Sequence, residues 1–303
     1  MIGQAGLAGY RAIGRRSKAE ARRSRPYRAN DAYNRLSTLM RRLLRYLIRV
    51  TSPQRGGLAL WDLIEIGLVA LGFLAYFLVR GAVVDRTADA ISHARTIIDL
   101  QDALGLWIEP RFQSWALQSD LLIRVMNFVY FWLDFPLLVG IGLLLFWRSR
   151  AQYTLLRDAV LISGAIALIL YWSYPVAPPR YLVEFGFVDT MERYSNLSYQ
   201  AQSMRPFVNP FAAAPSLHVG WAALVAFTLF GATTNWLIRG GGIVIFFAQG
   251  VAVIVTANHY LFDGVIGLVV CAVALAIAVA LQRHGYPGIR SLLAWLERRG
   301  VRG

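Results

Sequence analysis

Residues 214–236 read Ala-Pro-Ser-Leu-His-Val-Gly-Trp-Ala-Ala-Leu-Val-Ala-Phe-Thr-Leu-Phe-Gly-Ala-Thr-Thr-Asn-Trp. From Leu217 to Trp236 this stretch contains no Asp, Glu, Lys or Arg. It is close to the ~20 apolar residues that cross a bilayer core as an α-helix. One ionisable side chain, His218, stands at its opening. Ionisable groups at membrane depth are costly and call for a partner or a function. An apolar helix with a chemically capable group at one end is therefore the unit from which the rest of the chain is read.

Six such runs are predicted: Leu60–Val84, Leu122–Trp147, Ala159–Pro175, Leu217–Trp236, Ile243–Ala257 and Gly264–Leu281. The third and fifth are short, which is tolerable where a helix ends against protein instead of lipid. With 57% hydrophobic and 16% charged residues in a 303-residue chain, the composition excludes an ordinary soluble domain. The expectation is an all-α polytopic membrane protein with six transmembrane helices. The lone Cys271 lies in the last run and reads as a small buried hydrophobe.

Upstream of the runs the chain is strongly basic: residues 1–57 hold 14 basic against two acidic residues. Residues 1–33 read as a disordered cytoplasmic arm. Residues 34–57 read as an amphipathic interfacial helix and linker, since Leu36, Leu39, Met40, Leu43, Leu44, Leu47 and Ile48 recur at helical spacing with Arg between them. Attached to a membrane body, such an arm suits an anionic membrane surface, and nucleic acid is not the expected partner. The membrane domain is taken as 58–282, followed by a basic tail at 283–303. Gly240-Gly241-Gly242 reads as a turn rather than a helix-dimer motif, so no oligomeric state follows.

Orientation follows from the basic residues of the connections. The arm, residues 148–158, the 237–242 turn and the tail together carry +19, whereas loops 85–120 and 176–215 together carry −3. Both termini are expected in the cytoplasm, and loops 85–120, 176–215 and 258–263 outside. Thirty of the 31 basic residues are Arg, a bias of GC-rich genomes that points to a bacterial plasma membrane.

This topology brings four separate segments to the outer level. The third run ends there at Arg180, the fourth starts with Ser216 and His218, the fifth ends with Asn258 and His259, and the sixth opens after Asp263. His259 and Asp263 are four residues apart and share a helix face. The carboxylate is expected to accept the ring Nδ1–H and leave Nε2 free as a nucleophile. His218 is then the acid and base, Arg180 a bidentate phosphate ligand, and Ser216 with the first N–H groups of its helix a further set of donors. Asn258, Tyr260 and Asp134 are candidate supporting residues, Asp134 also a simple cap at a kink beside Pro136. The set needs no metal and no cofactor. The competing reading is a structural polar cluster. Trp107, Trp132, Trp172, Trp221 and Trp236 read as interfacial anchors or core, and His93 and His284 as loop residues.

Pro215-Ser216-Leu217-His218 followed by His259-x-x-x-Asp263 resembles the second and third signature motifs of the type 2 phosphatidic acid phosphatase superfamily. With Pro175-Val176-Ala177-Pro178-Pro179-Arg180 and Asn258-His259-Tyr260, the pattern is most similar to its inositol phosphorylceramide synthase branch. The resemblance spans roughly residues 60–281. It implies six spanning helices, metal-independent catalysis through a phosphohistidine on His259, His218 as acid and base, and Asp263 as orienting group. The phosphatase pattern has a Ser-Arg pair where Ala252-Val253 stand here, and a Lys-containing first motif that is missing. The resemblance thus implies transfer of a phospho-headgroup, phosphoinositol-like, from a phospholipid donor to a lipid or polyol hydroxyl. A lipid phosphate phosphatase and a non-catalytic lipid-binding or transport protein are the alternatives.

Overall fold

The computed structural model describes residues 66–67, 69–75, 86–194, 210–288, 291–292 and 295. The expected arm, the amphipathic helix, most of the tail and most of the first span lie outside the described residues. The elements named below belong to one compact unit, Pro53–Pro287. After a helical segment at 69–75 come α1 (Thr87–Ala103), α2 (Glu109–Ala116), α3 (Asp120–Trp132), α4 (Phe135–Arg148) and α5 (Arg150–Ser173). Then follow α6 (Thr190–Tyr194), α7 (Leu217–Ala232), α8 (Trp236–Val255) and α9 (Leu261–Ala280). Among the described residues the one β feature is an isolated bridge between Val176 and Ala212.

Three helices are long and apolar enough to cross a membrane: Arg150–Ser173, Trp236–Val255 and Leu261–Gly288, the last including a π-helical turn after α9. A fourth candidate is the pair α3 and α4, bent by 46°. The helical architecture is as expected, but the count of candidate spans is three to four where six runs were read. The difference has two sources. The first run lies largely outside the described residues, and α7 has 16 residues, about 24 Å of helix, too short for a ~30 Å core on its own. Such a length is tolerated because α7 is packed among other helices. Its Leu217, Trp221, Leu224, Val225 and Leu229 share one buried cluster with residues of α4, α5 and α9, including Cys271.

Two glycines permit the closest of these crossings. A Cβ on Gly267 would stand 2.1 Å from the Ser216 carbonyl oxygen, and one on Gly220 would stand 2.5 Å from Cys271 Sγ. Small residues let helix backbones approach where lipid offers no competing drive. Here they draw the first turn of α7 onto α9. Trp221 donates its indole N–H to Ser163 Oγ over 3.1 Å, and Tyr171 donates to the Pro215 carbonyl over 2.7 Å, so α5 braces the same turn.

Three boundaries differ from the sequence reading. The second run is broken at Leu133–Asp134, with Pro136 in the first turn of α4; proline there cannot continue the preceding hydrogen-bond ladder. α5 starts nine residues before the expected Ala159. It tolerates Arg157 and Asp158 because they pair at 2.8 Å and Tyr286 donates to Asp158 over 2.6 Å. Gly240-Gly241-Gly242 lies inside α8 and not in a turn. Asn235 starts that helix, its Oδ1 accepting from Leu237 N over 2.9 Å, and Gly242 passes tightly over Ala226. His93 also departs from its reading as a loop residue: it lies in α1, stacked on Tyr174 at 3.7 Å with Nδ1 2.8 Å from the Pro175 carbonyl. Trp221 is core, while Trp132, Trp172 and Trp236 are exposed on the helix surfaces.

Gly267→Ala is expected to destabilise the detergent-solubilised protein by at least about 1–3 kcal/mol, as overpacking does. Gly250→Ala in α8, where a Cβ meets nothing within 4 Å, should be neutral or mildly stabilising. Thermal unfolding of the two variants checks the contrast.

Candidate functional site

The polar groups gather where the chain leaves α5, enters α7, passes from α8 to α9, and breaks between α3 and α4. The passage from α8 to α9 is built first by its backbone. Ala257 sits at φ 51°, in the left-handed region that non-glycine residues rarely adopt. This reversal lets both Asn258 N and His259 N donate to the Val253 carbonyl at 3.1 Å, while Arg180 N donates to the Ala257 carbonyl at 3.0 Å. The arginine segment is thereby tied to the histidine segment through main chain.

His259 is 5% exposed. Its Nδ1 lies 2.7 Å from the Ala213 carbonyl oxygen. A carbonyl only accepts, so Nδ1 carries the hydrogen in this contact and the neutral ring keeps its lone pair on Nε2. The sequence reading gave that orienting role to Asp263. Its Oδ2 is 3.6 Å from Nδ1, beyond a hydrogen bond, and accepts instead from Tyr260 N at 2.8 Å. Asp263 therefore lies buried beside the ring and holds the first turn of α9. The backbone carbonyl of the preceding segment aligns the ring.

His218 lies in the first turn of α7. Its Nδ1 is 3.2 Å from Asp134 Oδ2, its ring stacks on Tyr130 at 4.1 Å, and the centroids of His218 and His259 are 5.6 Å apart. Asp134 stands at the α3–α4 break without a side-chain capping bond, and its carboxylate faces a histidine. Arg180 bonds Asn258 Oδ1, has Asp189 Oδ2 3.6 Å from its Nε, and lies with its plane near the Tyr181 ring. A guanidinium has five donors, so these partners hold it without exhausting it. Asn258 is fixed in turn by donating to Thr256 Oγ1 at 2.8 Å. Ser216 is buried, its N–H donating to the Asp263 carbonyl at 2.8 Å, while its Oγ has no hydrogen-bond partner among the described residues.

Tyr260 turns away from this cluster. Its hydroxyl donates to the Ala177 carbonyl over 3.1 Å. Burial foremost, then the charge of Asp263, pushes its pKa up, so the phenol stays a neutral donor and acts as a strut.

Sequence reasoning missed the support beneath α9. The first N–H groups of a helix lack intrahelical partners, and here two of them are met from the 85–120 segment: Leu261 N donates to Glu109 Oε1 at 2.7 Å and Phe262 N to Gln101 Oε1 at 3.0 Å. Gln101 also donates to Glu109 at 2.6 Å, and Gln113 reaches the Val188 and Val255 carbonyls. All three side chains are buried. The available signal was the presence of uncharged and acidic polar residues on the inner faces of two short amphipathic helices. It identifies buried polar positions but not their partners 150 residues away.

A family model described as the PAP2 superfamily matches residues 95–277. The chain is also similar to the phosphoinositol dihydroceramide synthase of Bacteroides thetaiotaomicron, 25% identical over 150 residues that cover 45% of this chain and 48% of that protein. The aligned region therefore spans about half the length of that relative. No solved structure matches.

Glu109→Ala should cost roughly 1–3 kcal/mol, because it leaves the Leu261 N–H buried without an acceptor. Glu109→Gln, which keeps an acceptor oxygen, should lie closer to the wild type. Thermal unfolding in detergent measures both.

Proposed function

Because the chain belongs to the PAP2 superfamily, and its site holds two histidines beside an arginine segment, we propose that it is a lipid phosphatase or phosphotransferase and, more narrowly, that it moves a phosphoinositol-like headgroup from a phospholipid to a lipid or polyol hydroxyl. His259 Nε2 attacks the phosphodiester phosphorus. A P–N bond forms, the P–O bond to diacylglycerol breaks, and His218 Nε2 gives its proton to the leaving oxygen. The acceptor hydroxyl then attacks phosphorus, its proton passes to His218, and the P–N bond breaks to free His259. Asp134 at Nδ1 leaves the other nitrogen of His218 to face the reacting group. Arg180 and the first N–H groups of α7, with Ser216, bind the phosphate oxygens.

The observation that carries transferase over phosphatase is the environment of the single guanidinium described at this site. Arg180 is already shared with Asn258 and Asp189, and Ala252 and Val253, buried in α8, stand where the phosphatase pattern has Ser-Arg. A monoanionic phosphodiester suits this limited positive charge better than a dianionic monoester. The relative's printed name, a phosphoinositol dihydroceramide synthase, supports the same choice.

The chain is an integral membrane protein. We read it further as six spans, with α3 and α4 as one bent span, both termini in the cytoplasm of a bacterium, and the site on the extracytoplasmic side. In this reading the basic arm at 1–33 meets anionic lipid, next to the amphipathic stretch and linker of 34–57.

Liposomes carrying labelled phosphatidylinositol and a mixture of lipid acceptors provide the test. The wild type is expected to form a new phosphoinositol lipid that persists with a chelator present. His259→Ala should form none, and His218→Ala should turn over roughly 10²–10⁴-fold more slowly. Release of inorganic phosphate from phosphatidic acid, with no headgroup transfer, would assign the phosphatase activity instead. Undiminished biological activity of His259→Ala would point to a non-catalytic lipid binder.

A further inference from the structure

We propose that the apolar groove between Ile66, Val69, Ala70 and Phe73, α4 and the first half of α5 receives one acyl chain of the donor phospholipid and limits the chain length the protein accepts. The inference rests on the reading of the polar end as a lipid phosphotransfer site.

The groove has a volume of about 410 Å³, within the range of small-molecule sites. Apart from Tyr153 and Arg157 at one end, its walls are hydrocarbon side chains and glycine. At the other end stands Phe135, the residue after Asp134, whose carboxylate faces His218. Phe73, on the opposite wall, meets Phe135 edge-on at 5.2 Å and Trp221 at 6.3 Å, and Trp221 is three residues beyond His218. The groove thus begins one residue from the carboxylate that faces His218 and follows α4 from Phe135 to Phe146. Those 11 steps of helix span about 16 Å. Half of a ~30 Å hydrocarbon core, the depth of one leaflet, is about 15 Å, so the slot is as long as one chain of one leaflet.

The chemistry of the first step chooses the occupant. His218 protonates the oxygen of the departing diacylglycerol, so the glyceride and its chains lie on the His218 side of phosphorus, and the headgroup lies on the His259 side. One end of the groove stands next to the His218 side, because Phe135 in its wall follows Asp134, whose carboxylate lies 3.2 Å from His218. Its walls belong to α5, a candidate span, and to the bent pair α3 and α4, so hydrocarbon is the surrounding medium. An acyl chain lying along these walls makes many small dispersion contacts at once.

Gly142 supplies the test, because it lines the groove and a Cβ there meets nothing within 4 Å. Gly142→Phe places a ring in the slot midway along α4. Gly140→Phe, also in open space but off the groove wall, is the control. With dioctanoyl and dipalmitoyl phosphatidylinositol as donors, Gly142→Phe should lower the long-to-short ratio of kcat/KM at least about tenfold. Turnover of the short donor should stay near wild type, and Gly140→Phe should leave the ratio unchanged. Native mass spectrometry of the detergent-solubilised protein reads binding independently of transfer: Gly142→Phe should retain less dipalmitoyl lipid than wild type, with dioctanoyl lipid unaffected. Equal retention of the long lipid by wild type and Gly142→Phe, or an equal loss of activity on both donors, would overturn the groove assignment. Absence of headgroup transfer by the wild type, with the selective loss of long-lipid retention intact, would overturn the transferase reading and leave the groove assignment standing.

Discussion

The backbone hydrogen bond from Ser216 N to the Asp263 carbonyl, 2.8 Å long, joins the first turn of α7 to the first turn of α9 at a crossing so close that Gly267 has no room for a Cβ. Much of the polar end depends on that contact. It sets the Pro215-Ser216-Leu217-His218 turn against the segment bearing His259 and Asp263, and places the Ala213 carbonyl where it meets His259 Nδ1. The contact is held from both sides. α5 supports the α7 turn through Tyr171 and Ser163, and Glu109 with Gln101 satisfies the first donors of α9. In a medium without water, unsatisfied backbone groups cost several kcal/mol each, so these partners matter as much to the site as the reactive side chains.

The two histidines differ in how their rings are held. His259 is aligned by a neutral carbonyl, which requires a proton on Nδ1 and leaves Nε2 as a lone pair. His218 is aligned by a carboxylate, which suits a ring that carries and returns a proton. In the proposed mechanism this difference separates nucleophile from acid. In the same proposal Asp263, buried and 3.6 Å from His259, is the group placed to answer positive charge that develops on the ring as the P–N bond forms.

Hydropathy made the helical body legible because a lipid-facing or protein-buried helix must be apolar along most of its length. The same constraint put His218, His259, Asp263 and Arg180 at one expected level from the order of runs alone; in the structure the two histidine rings lie 5.6 Å apart, Asp263 is 3.6 Å from His259, and Arg180 meets Asn258. Other features had no such signature. Gly240-Gly241-Gly242 looks like a turn by composition, but is helical because Asn235 starts α8 earlier and Gly242 is needed for contact with Ala226. The contact of His259 with Ala213 depends on a backbone carbonyl, which any residue supplies, so the spacing to Asp263, 3.6 Å from the same nitrogen, was the part that the sequence could reveal. The 85–120 segment was read as an outer loop; its helices place Gln101, Glu109 and Gln113 against the start of α9 and the end of α8, contacts between residues too distant in sequence for periodicity to reveal.

The account turns on a covalent bond between phosphorus and His259. The most direct measurement is mass spectrometry of protein quenched in base after brief incubation with donor phospholipid and no acceptor, followed by peptide mapping. A phosphoinositol-sized adduct on the His259 peptide, stable in base, lost in acid and absent from His259→Ala, is the expected result. Headgroup transfer that proceeds with no adduct on His259, or with full rate in His259→Ala, would contradict the account.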